Sequence, residues 1–160
     1  MGFVHLHWAF VLVVTLHNLE EAVWLPEWSR QAGRWHHPVR PAPFRFAAVV
    51  LTILAGVLAA ISIRGGTGSP GRYLFVAYAI AMLLNVALPH LVATVVLRRY
   101  CPGLATGLLG NLPVTAAIVF VALRDGHVAP WPLAGVAVLF VVGILALIPL
   151  LFRVGEWLFP

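Results

Sequence analysis

His17, Glu20 and Glu21 stand together in the run His17-Asn18-Leu19-Glu20-Glu21, inside a stretch that is otherwise as apolar as lipid. On an α-helix turning 100° per residue, Glu20 lies about 60° behind His17 and Glu21 about 40° ahead, so all three side chains share one face. Ionisable groups within a spanning helix are costly and face a bundle interior, where they bind ions, move protons or do chemistry. An imidazole and two carboxylates supply borderline nitrogen and hard oxygen donors, a set that suits zinc, iron or manganese. The bland reading is hydrogen bonding between helices or a place at the headgroup boundary. The rival chemistry is proton or ion translocation, with the glutamates changing charge as a substrate moves.

Further polar residues fall at the same depth in two later apolar runs. Pro89 removes a helical hydrogen bond and releases the carbonyl of Asn85, and His90 follows at once. Asn85 and His90 are about 140° apart on an ideal helix, so a kink or a π-bulge must rotate one of them before both can face one site. Asn111, with Pro113 and Thr115, repeats the polar-plus-proline pattern further on, and interhelical glue is as good an account of it as substrate binding. The expected arrangement has His17, Glu20 and His90 holding one divalent metal ion while Glu21 handles protons. Glu20 and Glu21 are interchangeable in those roles, which makes Glu21 a candidate ligand as well. Asn85 and Asn111 would position substrate or water. Two histidines and one carboxylate leave open positions on the metal, for a hydrolytic water on zinc or for oxygen on ferrous iron. A hydrolase is preferred to an oxygenase, because one such unit lacks the carboxylates of a di-iron cage. His36 and His37 could fold back over the site, but a loop histidine pair beside Trp35 and arginines reads more simply as an interfacial anchor.

The elements that must position these groups follow from composition. The chain has 160 residues, 62% hydrophobic and 9% charged, with mean hydropathy +0.99, which marks an integral membrane protein. Residues 1–160 form one domain in this reading. The net charge of +5 comes entirely from arginine in short loops, so its natural partners are anionic lipid headgroups and not nucleic acid. The single cysteine, Cys101, excludes an internal disulfide and a paired-thiol metal site. The first apolar run lacks a basic start and carries His5, His7 and the acidic cluster, so it is expected to be mature structure and not a signal peptide.

Apolar runs at roughly 3–25, 45–63, 73–97, 104–123 and 131–152 each approach the ~20 residues that span ~30 Å of hydrocarbon. The expected fold is therefore all-α, a polytopic bundle of five transmembrane helices. Arg30, Arg34, Arg40, Arg45, Arg98, Arg99 and Arg153 fall on one side against Arg64, Arg72 and Arg124 on the other. That bias predicts an amino terminus outside and a carboxy terminus in the cytoplasm. Trp8, Trp24, Trp28, Trp35, Trp131 and Trp157 fall mostly near predicted span ends, as an aromatic belt requires.

His17-x-x-Glu20-Glu21 in a first spanning helix, followed by Asn85, Pro89-His90 and Asn111, resembles the HxxEE family of small bacterial integral membrane proteins. The resemblance covers most of the chain and implies a bacterial inner-membrane location, an unassigned reaction and no particular substrate. Membrane proteases of the CAAX type also pair two glutamates with intramembrane histidine and asparagine, but the arginine they carry is absent after Glu20-Glu21, where Ala22-Val23-Trp24 follows. The inverted zinc-protease motif ends Glu-His where this chain has Glu20-Glu21. The functional expectation is a metal-dependent membrane enzyme acting on a lipid or other apolar small molecule. The alternative is a small proton-coupled transporter or a membrane assembly subunit, with homo-oligomers a natural form because five helices enclose only a narrow cavity.

Overall fold

The computed structural model describes residues 2–33 and 37–160, and all regular structure among them is helical. Five helices are long and apolar enough to cross a membrane: α1 (Phe3–Arg30), α2 (Pro41–Gly65), α3 (Pro70–Leu97), α4 (Leu104–Arg124) and α5 (Pro130–Leu158). Proline opens α2, α3 and α5, where its fixed φ suits the first turn and its missing N–H costs nothing. Ser69 caps α3, its hydroxyl accepting the Arg72 N–H at 3.2 Å. α1 and α5 run past the apolar stretches read from the sequence, α1 continuing through Pro26 to Arg30 and α5 to Leu158. Hydropathy marks where lipid ends, whereas a helix continues as long as its own backbone bonds can close.

Two apolar clusters bracket a polar layer. The larger contains Phe10 and Val14 of α1, Ala55 and Ala59 of α2, Phe75, Val76 and Ala79 of α3, and Ile118 and Ala122 of α4, all fully buried. The smaller joins Leu25, Trp28 and Ala32 to Ala93 and Cys101 at the other end of α1. Between Val14 and Leu25 on α1 lie His17, Asn18 and Glu20, all buried, and on α3 the interval between Met82 and Ala93 holds the buried His90. Asn18 serves helix packing: its amide donates to the Ala48 carbonyl at 3.3 Å and to Thr52 Oγ1 at 2.8 Å on α2.

Both helices that flank this layer depart from α geometry within it. α3 carries a π-helical stretch at Val86–Leu91, where Leu88 adopts extended angles (φ −126°, ψ 108°) just before Pro89. α4 carries another at Gly107–Asn111. The two stretches pack against each other, and the second also packs on α1. Such wide turns shift side chains around the helix axis and are frequent at functional sites.

Candidate metal centre

The π stretch of α3 settles the rotation problem set by the 85/90 spacing. The Asn85 amide lies 3.0 Å from His17 Nε2 and 3.3 Å from His90 Nε2, so residues on opposite flanks of an ideal helix converge here. Glu21 Oε1 is 2.9 Å from His90 Nε2 and 3.7 Å from His17 Nε2. The two imidazoles meet edge to face with centroids 5.0 Å apart. One donor atom from each of His17, Glu21 and His90 lies within 4.8 Å of the other two, a grouping that could hold a metal ion. Tetrahedral bonds of about 2.0–2.1 Å place ligand atoms roughly 3.3–3.4 Å apart. The two distances from Glu21 Oε1, 2.9 and 3.7 Å, bracket that spacing, and the remaining edge between the two imidazoles is within 4.8 Å. Turning the Asn85 amide over presents Oδ1 to the same spot, and the two orientations have the same shape.

The far nitrogens of both rings are engaged. His17 Nδ1 lies 3.2 Å from Thr106 Oγ1, while the Thr106 hydroxyl proton goes to Glu20 Oε2 at 2.6 Å. With its proton committed, the Thr106 oxygen accepts from His17 Nδ1–H, which leaves the Nε2 lone pair facing Glu21 and Asn85. His90 Nδ1 lies 3.6 Å from Cys101 Sγ and Nε2 donates to Glu21 Oε1 at 2.9 Å, so a cation would take the place of the Nε2 proton while Cys101 held the ring from behind. Histidine ligands are oriented in this way by partners behind them.

The neighbouring carboxylates have separate tasks. Glu20, expected as a ligand beside His17, is turned the other way and clamps the start of α4. Its Oε1 accepts the Gly103 N–H at 2.9 Å and the Tyr100 hydroxyl, and its Oε2 accepts the Thr106 N–H at 3.1 Å as well as the Thr106 hydroxyl. A carboxylate at the first N–H groups of a helix is favoured both by those donors and by the helix dipole. Burial and the Glu20 carboxylate both push the Tyr100 hydroxyl above its ordinary range, so it remains a donor. Glu21, 14% exposed, is the carboxylate that faces both histidines.

Gly103 makes the convergence possible. Its φ is +95°, a region that side chains other than glycine's rarely enter. A Cβ there would stand 2.7 Å from His90 Cε1 and 3.0 Å from His17 Cε1. Asn111 is fully buried, and neither its amide nitrogen nor its oxygen has a partner among the described residues. It is thus not hydrogen-bonded into the histidine group. His36 and Trp35 lie outside the described residues, and His37 is exposed. His7 is buried at the far end of α1, 2.8 Å from Ser62 Oγ on α2. Thr106, Tyr100, Cys101 and Gly103 are participants that the reading of the sequence passed over. The signal for them was the Cys101-Pro102-Gly103 turn, which shows that the chain reverses but not that it reverses against α1.

A family model described as a protein of unknown function with HXXEE motif matches residues 8–118. The uncharacterized protein YrkK of Bacillus subtilis (strain 168) is 41% identical over 153 residues, covering 94% of this chain and 96% of that protein. No solved structure matches.

Proposed function

The chain belongs to the HXXEE family, and from that footing we propose that it is a metal-dependent enzyme of the bacterial cytoplasmic membrane, a hydrolase acting on a lipid or other apolar substrate. The observation that carries the proposal is the convergence of His17, Glu21 and His90 from two helices, with a separate partner behind each imidazole. A buried hydrogen-bonded glue needs no such arrangement, whereas a cation site needs lone pairs aimed at one point. A divalent ion of zinc, iron or manganese, when bound, would activate water or polarise an oxygen of the substrate. Glu21 would ligate the ion through the oxygen that lies between the two imidazoles, leaving its second oxygen to take or give a proton at the substrate. The Asn85 amide orients the water or the substrate oxygen beside the rings. Asn111, buried with both polar atoms open, offers a second point of hold deeper in the bundle. Glu20 fixes the turn that brings Gly103 and Thr106 against the imidazoles, and it takes no part in the proton transfer. The arginine bias puts this centre in the cytoplasmic leaflet.

The test is reconstitution. Protein in vesicles of bacterial phospholipid, supplied in turn with zinc, ferrous iron and manganese, is followed by mass spectrometry of the extracted lipid. A new cleavage product that requires metal and vanishes in Glu21→Gln is the expected result. Unchanged lipid with every metal, together with proton flux that depends on Glu21, would replace this reading with transport.

A further inference from the structure

A groove of about 990 Å³ runs along the side of α1 next to the metal centre, walled by Leu16, Leu19 and Val23 of α1, by Pro102 in the turn before α4 and by Ala105 and Thr106 in the first turn of α4. Its surface is almost wholly apolar, and Leu16, Leu19 and Val23 are about half exposed to it. These residues belong to a helix long and apolar enough to cross a membrane, so the groove opens into lipid tails and not into water. Its α1 wall from Leu16 to Trp28 extends roughly 18 Å at 1.5 Å per residue. That is about the depth of one leaflet of a ~30 Å hydrocarbon core.

The two ends differ. Leu16 lies on the deep side. At the other end stand Trp24, Trp28, Arg99 and Tyr100, and Cys101 packing against Leu25 and Trp28 puts the 98–101 turn on that side of Glu20. Arg99 is exposed and makes no ion pair among the described residues. The acid that shares the groove mouth, Glu27, is already paired with Arg30 at 2.9 Å. An apolar channel that ends on tryptophan and an unmatched guanidinium has the charge pattern of a phospholipid, tail in and phosphate out. Midway along, the wall is Glu20 and Thr106, and Thr106 Oγ1 is 3.2 Å from His17 Nδ1. One side chain therefore separates the groove from the donor group.

We propose that this groove binds one phospholipid with an anionic headgroup, its acyl tail along Leu16, Leu19 and Val23 and its phosphate on Arg99. Head and tail then join level with Glu20 and Thr106, beside the histidines. The binding stands on the groove itself, while its service as the substrate site rests on the enzyme reading above. Native mass spectrometry of the purified protein, exposed to equal amounts of phosphatidylglycerol and phosphatidylcholine with the same tails, tests it. The wild type should retain one phosphatidylglycerol in preference by about fivefold, the worth of one arginine against an anionic head. Arg99→Gln should erase the preference but keep a lipid, and Ala105→Trp should exclude both lipids by filling the floor, with metal content unchanged in each. Leu19→Trp, which alters a side chain 58% exposed, repeats the blockade from the α1 wall should the first replacement fail to fold. Equal retention of the two lipids, indifferent to Ala105→Trp and Leu19→Trp, would overturn the proposal. Selective lipid binding without metal would leave the groove standing and remove the enzyme, and the reverse outcome would do the opposite.

Discussion

Replacing Gly103 by alanine puts the heaviest strain on the centre for the least chemical change. Two costs arise. At φ +95° an alanine pays about 1–2 kcal/mol for the left-handed backbone. Its Cβ would also lie 2.7 Å from His90 Cε1 and 3.0 Å from His17 Cε1 and His90 Nδ1, and overpacking of that kind costs about 1–3 kcal/mol. The flanking hydrogen bond from Gly103 N–H to Glu20 resists any retreat of the turn, so the rings must move. The total of about 2–5 kcal/mol corresponds to a fall in melting temperature on the order of 10 °C for a chain of this size. Because both imidazoles are displaced, affinity for a divalent metal should drop at least tenfold, the usual penalty for disturbing the support of a ligand. Gly56→Ala is the matched control: Gly56 is helical, with nothing within 4 Å of its added Cβ, and should gain roughly 0.5–1 kcal/mol. Thermal unfolding in detergent and competitive zinc titration read both quantities. If Gly103→Ala melts with Gly56→Ala and binds zinc as the wild type does, the close approach of the turn to the histidines is not real.

Glu20→Gln turns an acceptor of four hydrogen bonds into a group that must present N–H to donors. It should lower stability by about 2–3 kcal/mol in chemical denaturation yet leave one metal bound per chain. Cys101→Ala removes the partner of His90 Nδ1 and should weaken metal binding about tenfold in calorimetry, with Cys101→Ser restoring most of it. Asn111→Leu replaces an amide that has no partner among the described residues and should raise the melting temperature, by the equivalent of about 1–2 kcal/mol, while slowing turnover of any substrate that the amide holds.

How far the molecule is legible in its sequence differs between elements. The five helices are carried by hydropathy and arginine placement, because a bilayer leaves a chain few other options. Their ends are less legible, as α1 shows by running through Pro26 to Arg30. That His17 shares a face with both glutamates follows from helical period alone. Which glutamate it works with does not, since Glu20 and Glu21 flank it almost symmetrically and α1 by itself cannot break the tie. The tie is broken by the 98–106 turn, which brings N–H groups to Glu20 and leaves Glu21 to the imidazoles. For the same reason Cys101 and Thr106 carry no local signal: their roles exist only after α3 and α4 have closed on α1. The 85/90 pair lies between these cases. Its 140° separation requires a wide turn, and the structure has one at Val86–Leu91.

Zinc, iron and manganese titrations of purified, metal-stripped protein test the central claim most directly, with wild type, Glu21→Gln and Glu20→Gln measured side by side. The account predicts one tight site per chain for at least one of the three metals, lost in Glu21→Gln and kept in Glu20→Gln. A protein that binds none of them above the detergent background, or that loses its metal with Glu20→Gln and keeps it with Glu21→Gln, would contradict it.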